Sequence, residues 1–531
     1  MSLNLADLLE AVTDAIPDRV PVICGDDRLT YRELELRANK LAHYLQSVGV
    51  QPGDHVAIHM RNSIEYVETL LACLKIRAVA INVNFRYTDA ELVYLYNNSD
   101  TKVLVVQGEF TATVASALPE CPTVETVVVV GDEAADTTWG AVRVDDYASS
   151  VAAQSDARDF APRSEDDHFI IYTGGTTGMP KGVVWPHKDF YYAALSGANI
   201  DGVPHDTVEQ VVAAAVANTH PRVALLTPPL MHGAAVYSVL TGFLMAAPRV
   251  LMTSFDPVEA LRLIERENVV VVTVVGDAIA RPIADAIAAH PGQFDLSSLR
   301  AFGSGGALFS RTTKDQLAQL VPGLVVRDAF GASETGSHGT VEIGDDGTMR
   351  IRRNDNMLLL DDDLKPIEPG TDTIGRIART GHVPVAYYND PQKTADTFPV
   401  VDGVRMAVMG DMGRMEADGT IVLLGRGSGC INTGGEKVFP EEVEEALKNH
   451  PAVMDALVAG APDERFGERV AAVVQLREGA EDTDLDQLVE HCRTLVAGYK
   501  IPRSIVVVPQ IPRSPSGKAD YRWAKATVSA P

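Results

Sequence analysis

Between about residue 20 and residue 330, short runs rich in valine and isoleucine alternate with stretches of helical periodicity. HVAIHM (55–60) is followed by SIEYVETLLACLKI (63–76), and TKVLVVQ (101–107) by a segment ending in TVETVVVV (123–130). Such alternation is the sequence form of a mostly parallel sheet layered with helices. From about 340 to 424 the pattern changes to short strands and turns, with DDDLKPIEPG and ADGT as turn signals. GRGSG (425–429) then places three glycines in five residues just after the strand-like TIVLL, a backbone free enough to serve as a hinge. Beyond it KVFPEEVEEALKNHP (437–451) predicts a helix: Pro440 suits the first helical position, acids fill the first turn, and Lys448 and His450 stand at the end. A chain of 531 residues exceeds what one core fills. The expected organisation is therefore a body over 1–425 and a mobile α+β domain over 426–531, with no internal repeat of solenoid period.

The bulk numbers exclude several classes. With 46% hydrophobic and 22% charged residues and no long biased tract, the chain reads as globular. Its formal net charge of -26 repels nucleic acid, so no nucleic-acid partner is expected and any anionic ligand must be held by local positive groups. The amino terminus carries acids early, without a basic leader or a cleavage site, and reads as an amphipathic helix rather than a signal. The run VVVVTVV (269–275) is far shorter than the roughly 18 residues a membrane span needs, so no transmembrane segment is expected. Five dispersed cysteines without a CxxC pair argue against a zinc site or disulfide framework and fit a reducing cytoplasm.

The chemistry concentrates in YTGGTTGMPKG (172–182), which holds four glycines, three threonines and one lysine after the apolar HFIIY. Backbone N–H groups and threonine hydroxyls at a strand end can converge on an anion, so the loop reads as a phosphate cradle. The Walker spacing fails, because Pro180 precedes Lys181 and Gly182 follows it. The other glycine cluster, GSGGAL (303–308), lacks the last glycine of a dinucleotide fingerprint. A basic stretch near the end carries Arg493, Lys500, Arg503, Arg513, Lys518, Arg522 and Lys525 against only Asp520, a local reversal of the overall charge.

This loop resembles the signature of the adenylate-forming enzymes, the family of acyl-CoA synthetases, firefly-type luciferases and peptide-synthetase adenylation domains. Further segments follow in the family's order: TPPLMHGAA (227–235), GSGGAL, DAFGASETG (328–336), MGDMGRMEADG (409–419), GRGSGCINTGGEKVFPEEVE (425–444) and PRSPSGK (512–518). The resemblance implies an α/β fold, with two layered mostly parallel sheets plus a distorted β-barrel in the body and a small domain on a hinge. It implies an ATP site formed by Thr173, Gly174, Gly175, Thr176, Thr177, Gly178 and Lys181, with Gly305, Asp328, Phe330, Gly331 and Ser333 around the nucleotide. Phe330 would pack on adenine, and Ser333 stands where relatives usually have threonine. Asp411 would receive the ribose hydroxyls, shortly before Arg426 at the domain junction. Glu334 and Thr177 would hold Mg2+, a hard cation that shares oxygen ligands with phosphate. His232, Gly233, Ala234, Gly303 and Ser304 would line the acyl pocket, and Gly434, Gly435 and Glu436 a tunnel for coenzyme A. Lys518 would be the cation that joins Glu334 and Thr177 in catalysis.

The implied reaction has two halves: carboxylate and ATP give an acyl-adenylate and pyrophosphate, then a thiol displaces AMP. Lys518 would serve the first half, and rotation of the small domain would bring the TGGEK hairpin in for the second. At the usual hinge position relatives carry aspartate, glutamate or lysine; Gly429 here implies a looser hinge. The chain ends thirteen residues after Lys518, so a free thiol, coenzyme A, is the expected acceptor. MHGA stands where amino-acid-activating relatives have FD-x-S, which disfavours an amino acid. Stretches such as NVNFRY, WPHKDFYY and GKADYRWAK are most similar to bacterial FadD-type synthetases, particularly those acting on steroid side-chain carboxylates, with fatty acids as the other substrate class. Two alternatives are a ligase that loads a separate carrier protein and a nucleotide-binding regulator without catalysis.

Overall fold

The apolar runs become the strands of two sheets. In the computed structural model, which describes residues 2–529 apart from 133–137, 174–178, 201, 308, 345–347, 427–428, 434–435, 464–466, 497 and 514–518, five strands form an all-parallel sheet in the order Val79–Asn82, His55–His59, Thr101–Gln107, Thr126–Val130, Arg143–Asp146. A second, thirteen-stranded sheet is parallel from Val22–Cys24 through Arg249–Leu251, Ala224–Leu226, Val271–Val274 and Ala301–Gly305 to Val325–Ala332. There the direction reverses: Gly336–Ile343 pairs antiparallel with Val325–Ala332, with a register shift at Phe330/Gly331. The remaining strands, among them Ile374–Arg379, Ala407–Met415 and Ile421–Arg426, extend the same sheet antiparallel around their own core of Val341, Ile351, Ile377 and Ile421. This antiparallel half occupies the region expected to form the distorted barrel.

Helices fill the space between the sheets because their apolar faces have nowhere else to go. The amino-terminal helix Leu5–Ala15 buries Leu5, Leu8 and Val12 in a core shared with the helices Tyr31–Ser47 and Ile64–Lys75. Thr30 and Glu33 start the second of these as a reciprocal capping box, each side chain accepting from the other's backbone N–H. The glycine-rich segment follows a strand end, as its sequence predicts. His168–Thr173 is followed by Lys181–Pro186 as an antiparallel hairpin in which Thr173 pairs with Lys181. Both flanks of that segment are therefore strands of one hairpin. Apolar residues on both arms draw Val183, Val184 and Trp185 back beside Phe169, Ile170 and Ile171.

The carboxy-terminal region builds its own five-stranded sheet, with Gly467–Leu476 between Val453–Asp463 and the parallel strand Ser504–Val508. The helix Pro440–Lys448 has the predicted cap residues: Pro440 in its first turn with Glu441 and Glu442, and Lys448 in the last. Much of the basic stretch is neutralised in three dimensions: Arg513 pairs with Asp455, Lys500 with Glu442, Lys525 with Glu468 and Arg493 with Glu490. Contact with the body runs through Arg281, only 1% exposed, which donates to the carbonyl of Met454, and through the Arg311 N–H, which donates to Glu445. Among the described residues, no helix is long and apolar enough to cross a membrane.

Three imidazoles of the body are buried. Desolvation holds His59 down to about 3, His187 to about 4, and His338, which also faces Arg379, to about 3. In the unfolded chain a histidine titrates near about 6.5. A histidine depressed in this way favours the folded state when neutral, so its contribution is complete above about pH 6.5 and is lost as pH falls toward 4. Stability is expected to drop by up to about 4 kcal/mol per pH unit in the lower part of that window. Denaturant midpoints at pH 7, 6 and 5 measure it; a flat profile contradicts it.

Candidate active site

At the line where the large sheet changes strand direction, the strand ends enclose a cavity of about 880 Å³. The position follows the general rule that open α/β sheets bind ligands beyond the carboxyl ends of their strands. Its volume lies toward the upper end of the roughly 300–1,000 Å³ typical of ligand pockets. His232, Gly233 and Ala234 border it at the start of the helix Gly233–Leu244, facing Gly303, Ser304 and Gly305 at the end of Ala301–Gly305. Phe330, Gly331 and Ser333 form another wall, and Thr173 marks the edge of the glycine-rich loop.

Glycine is required at one of these points, tightly surrounded at a second and optional at a third. A Cβ on Gly331 would lie 2.2 Å from the Gly336 carbonyl oxygen, because the bulged pair brings the two backbones together. On Gly233 it would lie 3.0 Å from the ring of Tyr237, which itself lines the cavity and stacks edge-on against Phe190. On Gly303 it would meet nothing within 4 Å, because the position opens into the cavity.

The turn after Phe330 is held from three sides. Trp185 donates its indole N–H to the Ser333 carbonyl at 2.9 Å, buried Arg379 donates to the carbonyls of Thr335 and Ser337, and the Tyr387 hydroxyl donates to Glu334 Oε1 at 2.8 Å. Burial and the neighbouring Glu334 carboxylate push the Tyr387 phenol up, so it stays a donor. Phe330 lies 5.5 Å from the ring of His338. The loop 227–232 is held by two buried asparagines. Asn62 donates to Pro228 and accepts from the Leu230 N–H, while Asn82 donates to both Met231 and Tyr172 and accepts from the Tyr172 N–H. Asn82 thereby ties the acyl-type motif to the strand that leads into the glycine-rich loop.

Other expected residues stand back from the cavity wall. Asp328 is fully buried, pairs with Lys314 at 2.6 Å and accepts from the Phe309 N–H, and burial raises its carboxyl against the pull of Lys314. Lys181 extends toward Asp390 at 3.9 Å and over the Tyr387 ring. Asp411, on Ala407–Met415, is the register partner of Arg426 on Ile421–Arg426, so the two positions that the sequence separates by fourteen residues lie side by side. Glu436 belongs to the strand Glu436–Val438. Gly174, Gly175, Thr176, Thr177, Gly178, Gly434, Gly435 and Lys518 lie outside the described residues. Both flanks of the Lys518 segment nonetheless border the cavity, through Pro512 and Arg513 on one side and Ala519, Asp520 and Arg522 on the other, with Arg513 bridged to Ala519. Among the described residues no three His, Cys, Asp or Glu side chains cluster to hold a metal ion. The half-buried Glu334 carboxylate, with one oxygen engaged by a neutral phenol, still offers lone pairs to a cation that phosphate oxygens also ligate.

A family model described as AMP-binding enzyme matches residues 9–386, and one for the AMP-binding enzyme C-terminal domain matches 442–518. The chain belongs to the AMP-binding enzyme family. A 3-oxocholest-4-en-26-oate–CoA ligase of Rhodococcus rhodochrous is 46% identical, covering 99% of this chain and 96% of that protein. A medium/long-chain-fatty-acid–CoA/3-oxocholest-4-en-26-oate–CoA ligase of Mycolicibacterium smegmatis is also 46% identical, with the same coverage of both. Among solved structures, an anthranilate CoA ligase in complex with anthranoyl-AMP superposes with a TM-score of 0.83 over 99% of this chain and 97% of that one, at 23% identity, a likeness of fold.

The glycine geometry makes a direct prediction. Gly331→Ala is expected to lose more than about 2 kcal/mol of stability, since a backbone oxygen must move, whereas Gly303→Ala should stay within about 0.5 kcal/mol of the parent. Chemical denaturation of the two variants tests it; equal losses would contradict the close approach at Gly331.

Proposed function

We propose that this chain is an AMP-forming acid–thiol ligase that converts a carboxylic acid and ATP to an acyl-adenylate and pyrophosphate, then transfers the acyl group to coenzyme A with release of AMP. The observation that carries this reading is convergence: the glycine-rich loop's edge, the 227–235 segment, the 328–336 segment and both flanks of the Lys518 loop border one cavity. A binding-only regulator has no use for a distant lysine whose flanking residues reach that place.

In this reading Phe330 and Gly331 pack on the adenine, Asp411 accepts the ribose hydroxyls, and Arg426 beside it bridges to the small domain. Thr173 to Gly178 and Lys181 cradle the phosphates, with Gly305 and Ser333 completing the nucleotide wall. Asp328 acts from beneath by fixing the Phe309 backbone and Lys314. Glu334 and Thr177 would hold Mg2+, which supplies charge neutralisation on the phosphates when bound. Lys518 neutralises the charge that builds as the carboxylate reaches the α-phosphorus. His232, Gly233, Ala234, Gly303 and Ser304 line the acyl side. Gly434, Gly435 and Glu436 border the coenzyme A tunnel after the domain over 426–531 has rotated on the body over 1–425. At Gly429 a Cβ would sit 3.8 Å from Pro440, an ordinary contact, so its absence removes a possible hold on one pose and eases rotation.

The acid is a steroid side-chain carboxylate, and medium- or long-chain fatty acids form the second class. The names of the two relatives support both, and the open wall at Gly303 leaves room for bulk. The cytoplasm, where ATP and coenzyme A are both available, is the proposed location. A panel of short, long and polycyclic acids, assayed for pyrophosphate and for the coenzyme A thioester, tests the proposal. Thioester is expected from polycyclic and long acids and not from short ones. Pyrophosphate without thioester, appearing only with a carrier protein as acceptor, would favour the carrier-loading alternative, and no pyrophosphate with any acid would sink the proposal.

A further inference from the structure

Tyr387 stands outside every motif that defines the candidate site, yet it touches two of its charged groups. It ends the two-residue strand Ala386–Tyr387, which adds to the edge of Lys181–Pro186 with Tyr387 opposite Val183. That register sets its ring beside Lys181, whose Nζ lies 5.5 Å from the ring centroid, within the reach of a cation–π contact. From the same ring the hydroxyl donates to Glu334 Oε1 at 2.8 Å. The residue itself is fixed: its backbone N–H donates to Thr394 Oγ1 at 2.9 Å, its ring packs on Phe398 at 5.2 Å, and it is 7% exposed. Asp390, 3.9 Å from Lys181, caps the helix Pro391–Thr397 that follows. A lysine at the start of one strand and a carboxylate in a distant turn are thus spaced by one rigid side chain.

We propose that Tyr387 is a positioning residue for ATP and its divalent cation: its phenol fixes the Glu334 carboxylate and its ring face holds the Lys181 ammonium at a set separation. The inference rests on the reading of Glu334 as a cation ligand and Lys181 as a phosphate-side residue. A hydrogen bond to a charged acceptor restrains that acceptor more strongly than packing does, and a carboxylate bonded through one oxygen presents the other in a defined direction. Removing only the hydroxyl leaves the ring over Lys181 and frees Glu334. Removing the ring frees both.

The test is equilibrium binding of Mn2+ in the presence of ATP, followed by electron paramagnetic resonance, on the full chain and on Tyr387→Phe, Tyr387→Leu, Glu334→Gln and the Tyr387→Phe/Glu334→Gln double variant. Tyr387→Phe is expected to weaken Mn2+ binding about tenfold, Tyr387→Leu to weaken ATP binding as well, and the double variant to be no weaker than Glu334→Gln alone. In Tyr387→Phe the conversion of supplied acyl-adenylate and coenzyme A to thioester should persist, which a loss of folding would not spare. If Glu334→Gln weakens Mn2+ binding while Tyr387→Phe does not, the positioning role is overturned. Unchanged Mn2+ binding in Glu334→Gln would remove the underlying assignment of Glu334, and the proposal with it. Additive losses in the double variant would show that Tyr387 acts elsewhere, and would overturn the proposal too.

Discussion

Everything at the site depends on one backbone approach, that of Gly331 to Gly336, where the thirteen-stranded sheet stops being parallel. A parallel sheet alone ends in separate strand tips. The antiparallel return of Gly336–Ile343 across Val325–Ala332 folds the sheet's edge back on itself and creates a wall opposite the helix start at His232. That return needs two residues without side chains, because a Cβ on Gly331 would lie 2.2 Å from the partner carbonyl, and one on Gly336, at φ +66°, would meet the Ala193 carbonyl at 2.4 Å. The glycines of this region supply space for backbone before they supply space for a ligand.

The wall formed in this way is rigid because its turn is anchored by groups from elsewhere in the fold. Trp185 comes from the hairpin below the glycine-rich loop, Arg379 from the antiparallel half of the sheet, and Tyr387 from the edge strand beside Lys181. Asn62 and Asn82 do the same for the opposite wall. An amide whose donors and acceptor are all satisfied inside the protein orients backbone more strictly than apolar packing can. Two walls are thus fixed independently, and Arg513 and Arg522 border the cavity between them.

Much of this was legible before any coordinates. The alternation of apolar runs and helical patterns announced layered sheets, since period and length report burial directly. Phe330, His232 and Gly303, all drawn from the quoted motifs, border one cavity, and Asp411 and Arg426, close in sequence, are register partners on adjacent strands. Other features were not legible for physical reasons. The hairpin around the glycine-rich loop was not legible, because the pairing of Thr173 with Lys181 is set by the surrounding fold and carries no local periodicity. The basic stretch from Arg493 to Lys525 looked uncompensated because its acids lie far away in sequence: Arg513 meets Asp455, and Lys525 meets Glu468. Asn62, Asn82 and Tyr387 carry no periodic or compositional signal. Each is a single polar residue whose role exists only once distant strands have been brought together.

The central claim is that one cavity serves both half-reactions and that the loop between Arg513 and Ala519 supplies the cation for the first of them. Partial-reaction kinetics on Lys518→Ala test it most directly. The account predicts that acyl-adenylate formation from acid and ATP falls by at least about a hundredfold, while synthetic acyl-adenylate and coenzyme A still give thioester at close to the parent rate. Equal loss in both halves, or no loss in the first, would contradict it.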